Sequence, residues 1–208
     1  MLQVHENERF NTFSHFFATI FSGAGSIYLL LRSISSTDLM QFAAFVVYAV
    51  STVGLFGIST FYHGSQGHHR VLFQRMDYMG IYLKIAGNYT PYTVLFLSGN
   101  DLILVLGTVW GLALIGILVE YLFEARKRNV ALFLYVAMAS SILLAAGHFI
   151  QRVSMLSLIL IGLGYSSYAV GVYFYLNDHR LKWGHEIWHV CVICGSFFQY
   201  LPLALYLT

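Results

Sequence analysis

The chain has 208 residues, of which 58% are hydrophobic and 10% are charged, and its formal net charge is +2. A soluble domain carries about 25% charged residues because its surface must face water, so this composition excludes a water-soluble globule. It also excludes a nucleic-acid-binding protein, since the only dense basic run is residues 126–128. At about 20 apolar residues per span, the length accommodates seven membrane-spanning helices and short loops. We therefore predict one all-α integral membrane domain over residues 1–208, a seven-helix bundle.

Seven apolar segments follow one another along the chain, separated by short polar stretches. The stretch from His63 to Asp77 is predicted to be one of these polar connections. Within the fourth apolar segment, Gly107 and Gly111 form a G-x-x-x-G pattern, which favours close packing of helices. We predict the membrane-spanning helices at approximately 13–31, 39–62, 78–97, 102–121, 130–149, 155–176 and 185–207.

Lysine and arginine residues are distributed unequally between the two sides of the predicted bundle. The side that holds the N-terminus carries eight of them: Arg9, Arg70, Arg75, Arg126, Lys127, Arg128, Arg180 and Lys182. The other side carries two, Arg32 and Arg152. Because cytoplasmic loops carry the positive excess, we predict a cytoplasmic N-terminus and an extracytoplasmic C-terminus in a multi-pass protein of the cell (plasma or inner) membrane.

Ionisable side chains at the span ends indicate a functional site, because lipid makes such groups costly. Ser59 and His63 lie four residues apart at the end of the second span, so they share a helical face. His185 and His189 share a face in the same way at the start of the seventh span, and Asp77 opens the third. The predicted topology brings all five residues to the cytoplasmic end of the bundle.

Three histidines that leave a fourth position open are typical of a catalytic zinc site. We therefore predict that His63, His185 and His189 bind Zn²⁺. Asp77 would orient or deprotonate a water whose pKa the metal lowers to about 7, and Ser59 would support that carboxylate or water with a hydrogen bond. The other histidines lack such partners in the sequence pattern and are predicted to be surface or interfacial residues: His5, His15, His68, His69, His148 and His179.

At these residues the sequence resembles the hemolysin III family, the bacterial branch of the progestin and adipoQ receptor family. The order and placement of the motifs hold along essentially the whole chain. The matching motifs are Ser59-x-x-Tyr62-His63, then Asp77 with the run Ile85-Ala-Gly-Asn-Tyr-Thr-Pro91, and His185-Glu-Ile-Trp-His189.

The resemblance implies a seven-helix bundle with a cytoplasmic N-terminus and a zinc ion held by His63, His185 and His189. It also implies that Asp77 and Ser59 lie near the zinc water. Eukaryotic relatives, the adiponectin receptors, are linked to ceramide hydrolysis, and alkaline ceramidases share the pattern of Ser, His, Asp and paired His. The implied function is zinc-dependent hydrolysis of an amide or ester bond in a membrane lipid, with the lipid bilayer as partner.

Three other functions are compatible with the same residues. A non-enzymatic receptor or sensor of the membrane state would use the metal to tie the second and seventh helices together. A cytolytic protein, as the hemolysin name of the bacterial members suggests, would act on foreign membranes. In an intramembrane metalloprotease, His185-Glu186-x-x-His189 would be an H-E-x-x-H motif with the glutamate as base. The Asp-Gly that such proteases carry in their second motif is missing after Asn88-x-x-Pro91.

Overall fold

The computed structural model describes residues 8–34, 38–122 and 128–207, and within these ranges every regular element is helical. A short 3₁₀ segment, Ser141–Ala145, interrupts the fifth apolar segment between two α-helices. The α-helices are α1 (Arg9–Ile34), α2 (Leu39–Gly64), α3 (Gly67–Phe96), α4 (Gly99–Leu122), α5 (Arg128–Ala139), α6 (Ala146–Arg152), α7 (Met155–Leu176) and α8 (Gly184–Tyr206).

The helices coincide with the predicted apolar segments to within a few residues, except at the start of α3. That helix begins at Gly67, so the prediction of a polar connection from His63 to Asp77 is wrong. Only residues 65 and 66 separate α2 from α3. Hydropathy missed these first turns because it measures the polarity of side chains, whereas a helix that extends beyond an apolar span carries polar ones.

Contacts with the end of α2 hold the additional turns of α3 in place. The rings of Phe61 and Phe73 stack with their centroids 5.5 Å apart. Gln74 Nε2 donates a hydrogen bond to Tyr62 Oη at 2.8 Å, and the guanidinium of Arg70 lies 4.9 Å above the Tyr62 ring. An arginine over an aromatic face is a favourable cation–π contact, so tertiary packing stabilises the turns of α3 that precede its apolar span.

Among the described residues, six helical segments are long and apolar enough to cross a membrane, namely α1, α2, α4, α7, α8 and the interrupted segment Asn129–Arg152. The long helix α3 does not meet this measure, because its interior carries polar residues such as Lys84, Asn88 and Thr93. All three are buried inside the protein, so they lower the hydropathy of α3 while facing its neighbours. The chain is thus an all-helical membrane bundle with six candidate spans around a more polar central helix.

The central helix α3 contacts elements on several sides of the bundle. It packs against α2, α4 and α5, and two of its side chains reach α8. Asn88 Nδ2 donates to Gln199 Oε1 at 3.0 Å, and Tyr92 Oη donates to the Gln199 carbonyl oxygen at 2.5 Å. Because the bilayer offers no partner for such groups, their pairing inside the protein fixes the position of α3.

Close packing of α7 on α8 depends on small residues other than the predicted pair. A Cβ at Gly164 would lie 3.1 Å from the carbonyl oxygen of Gly195, and one at Gly171 would lie 2.8 Å from Cys191 Cβ. Within the described part of the chain, no atom from another helix lies within 4 Å of a Cβ placed on Gly107 or Gly111. The prediction that this G-x-x-x-G packs a helix pair is therefore wrong for the described residues.

Candidate metal centre

One end of the bundle, here called the histidine end, gathers the start of α1, the end of α2 and the start of α8. The side chains that mark it are His15 on α1, His63 on α2, and His185 and His189 on α8. The His63 and His189 rings lie 4.7 Å apart between centroids, and the His185 and His189 rings lie 4.5 Å apart. Three helices that are remote in sequence thus bring their imidazoles into contact.

His15 belongs to this cluster, which makes the prediction that it is a surface or interfacial residue wrong. Its side chain is buried, with an exposed fraction of 2%. One ring nitrogen each from His15, His63 and His189 lies within 4.8 Å of the others, and all three residues are buried. This buried three-histidine group could hold a metal ion.

Three ring nitrogens of the cluster are buried without partners among the described residues, and one of them is Nδ1 of His15. Nε2 of His63 and Nε2 of His189 are buried, and neither has a hydrogen-bond partner among the residues that the structure describes. An unpaired buried polar atom costs about 1–3 kcal/mol, and a neutral imidazole nitrogen with a lone pair is a common metal ligand. The donor set at the histidine end therefore fits a metal ion.

The other ring nitrogen of each of these histidines is occupied. His63 Nδ1 lies 2.8 Å from Glu8 Oε2, and His189 Nδ1 lies 2.7 Å from His15 Nε2. Two ligands of one tetrahedral zinc ion, each at about 2.0–2.1 Å, are about 3.3 Å apart. The separation of 2.7 Å between His15 Nε2 and His189 Nδ1 is shorter than this and is that of a hydrogen bond.

Glu8 connects His63 to the start of α3. Its Oε1 accepts a hydrogen bond from Arg70 at 2.5 Å, and its Oε2 accepts another from Asn11 Nδ2 at 3.0 Å. Burial raises the pKa of Glu8, but the hydrogen bonds from His63, Asn11 and Arg70 outweigh it and lower the pKa to about 2. The carboxylate beside His63 is therefore charged at neutral pH.

The predicted pair Ser59 and Asp77 lies beside the cluster. The Ser59 hydroxyl donates a hydrogen bond to Asp77 Oδ1, and both residues are buried. Because Ser59 precedes His63 by four residues, about 6 Å of helix rise separates this pair from His63. His185 lies at the edge of the cluster, where its Nδ1 faces Asp178 Oδ2 at 3.7 Å.

Sequence reasoning missed three residues of the histidine end: Glu8, His15 and Arg70. A signal for His15 was present, since it is an ionisable residue inside the apolar segment 13–31 and such residues mark functional sites. Glu8 precedes it by seven residues, which is about two helical turns and places both on one face. Arg70 carried no comparable signal, because it fell in a stretch that was predicted to be a loop.

The fold and the cluster define a class: an all-helical, multi-pass membrane protein with a buried histidine group at one end. The family model for haemolysin-III related proteins matches residues 3–200. The chain therefore belongs to the haemolysin-III related family, as the resemblance of the motifs indicated.

Individual relatives match the chain over nearly its full length. Hemolysin-3 of Bacillus cereus is 31% identical over 99% of this chain and 94% of that protein. The Hemolysin-3 homolog of Bacillus subtilis is 28% identical over 94% of this chain and 92% of that protein. The human monocyte to macrophage differentiation factor is 27% identical over 95% of this chain and 83% of that protein. The similarity thus extends from bacterial to mammalian members.

Proposed function

We propose that the chain is a zinc-dependent hydrolase that cleaves an amide or ester bond of a membrane lipid. The observation that carries the proposal is the pair of buried, unpartnered Nε2 atoms of His63 and His189, with the carboxylate of Asp77 nearby. A metal site, a carboxylate and a lipid-embedded bundle are together what hydrolysis of a lipid requires.

The proposed ligands are His63, His185 and His189. Nε2 of His15 is hydrogen-bonded to His189, and its Nδ1 is buried without a partner among the described residues. We choose His185 over His15 because the resemblance of the motifs assigns the ligand role to His185. The His185 ring lies against both other ligand rings, 4.5 Å from His189 and 5.6 Å from His63 between centroids. Its Nδ1 faces Asp178, which leaves Nε2 as the nitrogen for the metal.

Zinc, when bound, supplies a Lewis acid that polarises a carbonyl and lowers the pKa of water to about 7. Asp77 accepts a proton from the attacking water as the new bond from oxygen to the carbonyl carbon forms. Asp77 then returns that proton to the amine or alcohol that leaves when the C–N or C–O bond breaks. Ser59, by donating to Oδ1 of Asp77, holds the carboxylate in one orientation.

The test of this function compares Asp77→Asn with Glu186→Gln, because the two changes separate a hydrolase from a protease. Asp77→Asn removes the base and should lower turnover by about 10²- to 10⁴-fold, the usual contribution of a general base. Glu186→Gln should leave turnover near the parental value. The measurement is fatty-acid release, by mass spectrometry, from vesicles that contain a ceramide or a diacylglycerol, with the zinc content of each variant matched.

The alternatives give different results in the same experiment. An H-E-x-x-H protease would lose activity through Glu186→Gln and keep it through Asp77→Asn. A sensor or a cytolytic protein would release no fatty acid in any variant, the parent included. Either result would overturn the proposed function.

We also propose that seven helical segments cross the membrane, α3 included and with α5 and α6 forming one interrupted span, and that the histidine end lies in the cytoplasm. The support is the charge distribution, since cytoplasmic ends carry the positive excess. Among the residues whose side chains the structure describes, the basic ones at the histidine end are Arg9, Arg70, Arg75, Arg180 and Lys182, and those at the opposite end are Arg32 and Arg152. A reporter fused after Thr208 should be extracytoplasmic, and one inserted between residues 122 and 129 should be cytoplasmic. The reverse pair of locations would refute this orientation.

A further inference from the structure

Both of the histidines with an unpartnered Nε2 turn their other nitrogen toward α1. His63 Nδ1 meets Glu8 Oε2 at 2.8 Å, and His189 Nδ1 meets His15 Nε2 at 2.7 Å. Glu8 and His15 are seven residues apart, which places them about two turns apart on the same side of the N-terminal segment. One side of the segment formed by Glu8 and α1 thus contacts the outer nitrogen of both imidazoles.

The contact with Glu8 determines which nitrogen of neutral His63 carries the proton, and the contact with His15 permits the matching tautomer of His189. A carboxylate only accepts hydrogen bonds, so Glu8 requires the proton of neutral His63 on Nδ1 and leaves the lone pair on Nε2. His15 can play the same part for His189 when its Nε2 accepts a hydrogen bond from the Nδ1–H of His189. In both cases the nitrogen that faces away from α1 is the one able to bind a metal.

Glu8 is itself held in place from two sides. Arg70 donates to Oε1 at 2.5 Å from the start of α3, and Asn11 donates to Oε2 at 3.0 Å from α1. A side chain with this many fixed partners does not rotate readily away from His63. The position of Glu8 is therefore set by α1 and α3 together.

We propose that Glu8 and His15 are positioning residues of the metal site, which fix the tautomer and ring orientation of His63 and His189. The inference rests on the metal site of the proposed function and assigns α1, which contributes none of the proposed ligands, a part in that site. Outer partners of this kind typically change metal affinity by about 10- to 100-fold. Glu8 should have the larger effect, because a hydrogen bond to a charged acceptor is about twice as strong as one to a neutral acceptor.

The experiment measures Zn²⁺ affinity by competition with a chelator for the full chain, purified and reconstituted in phosphatidylcholine bilayers. Glu8→Ala should weaken affinity by about 100-fold, and Glu8→Gln, which keeps an acceptor without the charge, should recover part of this loss. His15→Phe should weaken it by about 10-fold. The control is Asp101→Asn, because Asp101 Oδ2 also pairs with an imidazole, at 2.5 Å from His148 Nδ1, but at the opposite end of the bundle.

Two further readouts separate positioning from a general loss of structure. The visible absorption of the Co²⁺-loaded protein reports ligand geometry and should change in Glu8→Ala but not in Asp101→Asn. The thermal stability of each metal-free variant is measured in parallel. A merely structural role for Glu8 would lower the metal-free stability and leave both affinity and spectrum at the parental values, which would overturn the proposal.

The outcome for the parent distinguishes the two proposals. A parent that binds no Zn²⁺ refutes the metal site and this inference with it. If the parent binds Zn²⁺ and both Glu8→Ala and Glu8→Gln bind it as tightly as the parent does, the positioning role alone is refuted. Zn²⁺ affinity that falls from the parent through Glu8→Gln to Glu8→Ala supports the positioning role, provided that Asp101→Asn binds Zn²⁺ as tightly as the parent.

Discussion

Two carboxylate–imidazole pairs occupy opposite ends of the bundle, and they differ in almost everything except their chemistry. At the histidine end, His63 pairs with Glu8 at 2.8 Å, and their side chains are 1% and 19% exposed. At the other end, His148 pairs with Asp101 at 2.5 Å, and their side chains are 67% and 30% exposed. The same two functional groups thus meet in two very different surroundings.

The difference shows that surroundings, rather than residue types, identify a candidate site. The buried pair leaves Nε2 of His63 without a partner among the described residues and close to two further imidazoles. An exposed ion pair such as that of His148 contributes about 0–1 kcal/mol and leaves no nitrogen buried. Only the first pair is expected to control metal binding.

The largest expected difference between the two ends is in metal content. His63→Ala removes a proposed ligand, so the purified protein should fall from about one zinc per chain to none. His148→Ala should keep the parental content, because its imidazole pairs with Asp101 at the opposite end of the bundle. Elemental analysis of both variants and the parent measures the zinc content per chain. Equal zinc in His63→Ala and the parent would show that His63 is not a ligand.

A closer comparison uses two histidines that both face Asp178. His185 Nδ1 lies 3.7 Å from it and His179 Nδ1 lies 4.0 Å from it, but only His185 also contacts the rings of the cluster. Loss of a residue that only hydrogen-bonds to a metal ligand weakens binding by up to about 100-fold. His185→Ala should weaken Zn²⁺ binding by more than this, and His179→Ala should leave it unchanged. Competition with a chelator measures both, and similar affinities for the two variants would remove His185 from the ligand set.

The smallest expected effect concerns the exposed pair itself. Asp101→Asn should change the free energy of unfolding by less than about 1 kcal/mol, the usual range for exposed ion pairs. Thermal unfolding of the reconstituted protein gives the value, and added salt should reduce the difference further because it screens exposed charges. A loss of several kcal/mol would mean that His148 and Asp101 hold the opposite end together.

Much of the architecture could be predicted from the sequence. Composition predicted a helical membrane protein, and the apolar segments predicted the helices closely, because both signals are local and accumulate over about 20 residues. The spacing of His185 and His189 on one helical face was likewise a local property. The motifs also indicated the family, which the match over residues 3–200 confirms.

Other features were decided only by the tertiary structure. The first turns of α3 are polar in sequence, and their helical form depends on the packing of Phe73 and Gln74 against α2. His15 was placed at the surface because its partner, His189, lies 174 residues away in the chain. Glu8 meets His63 across 55 residues. Local periodicity shows which side chains share one helix face, but which faces meet depends on how whole helices pack, and that packing decided the surroundings of the histidines.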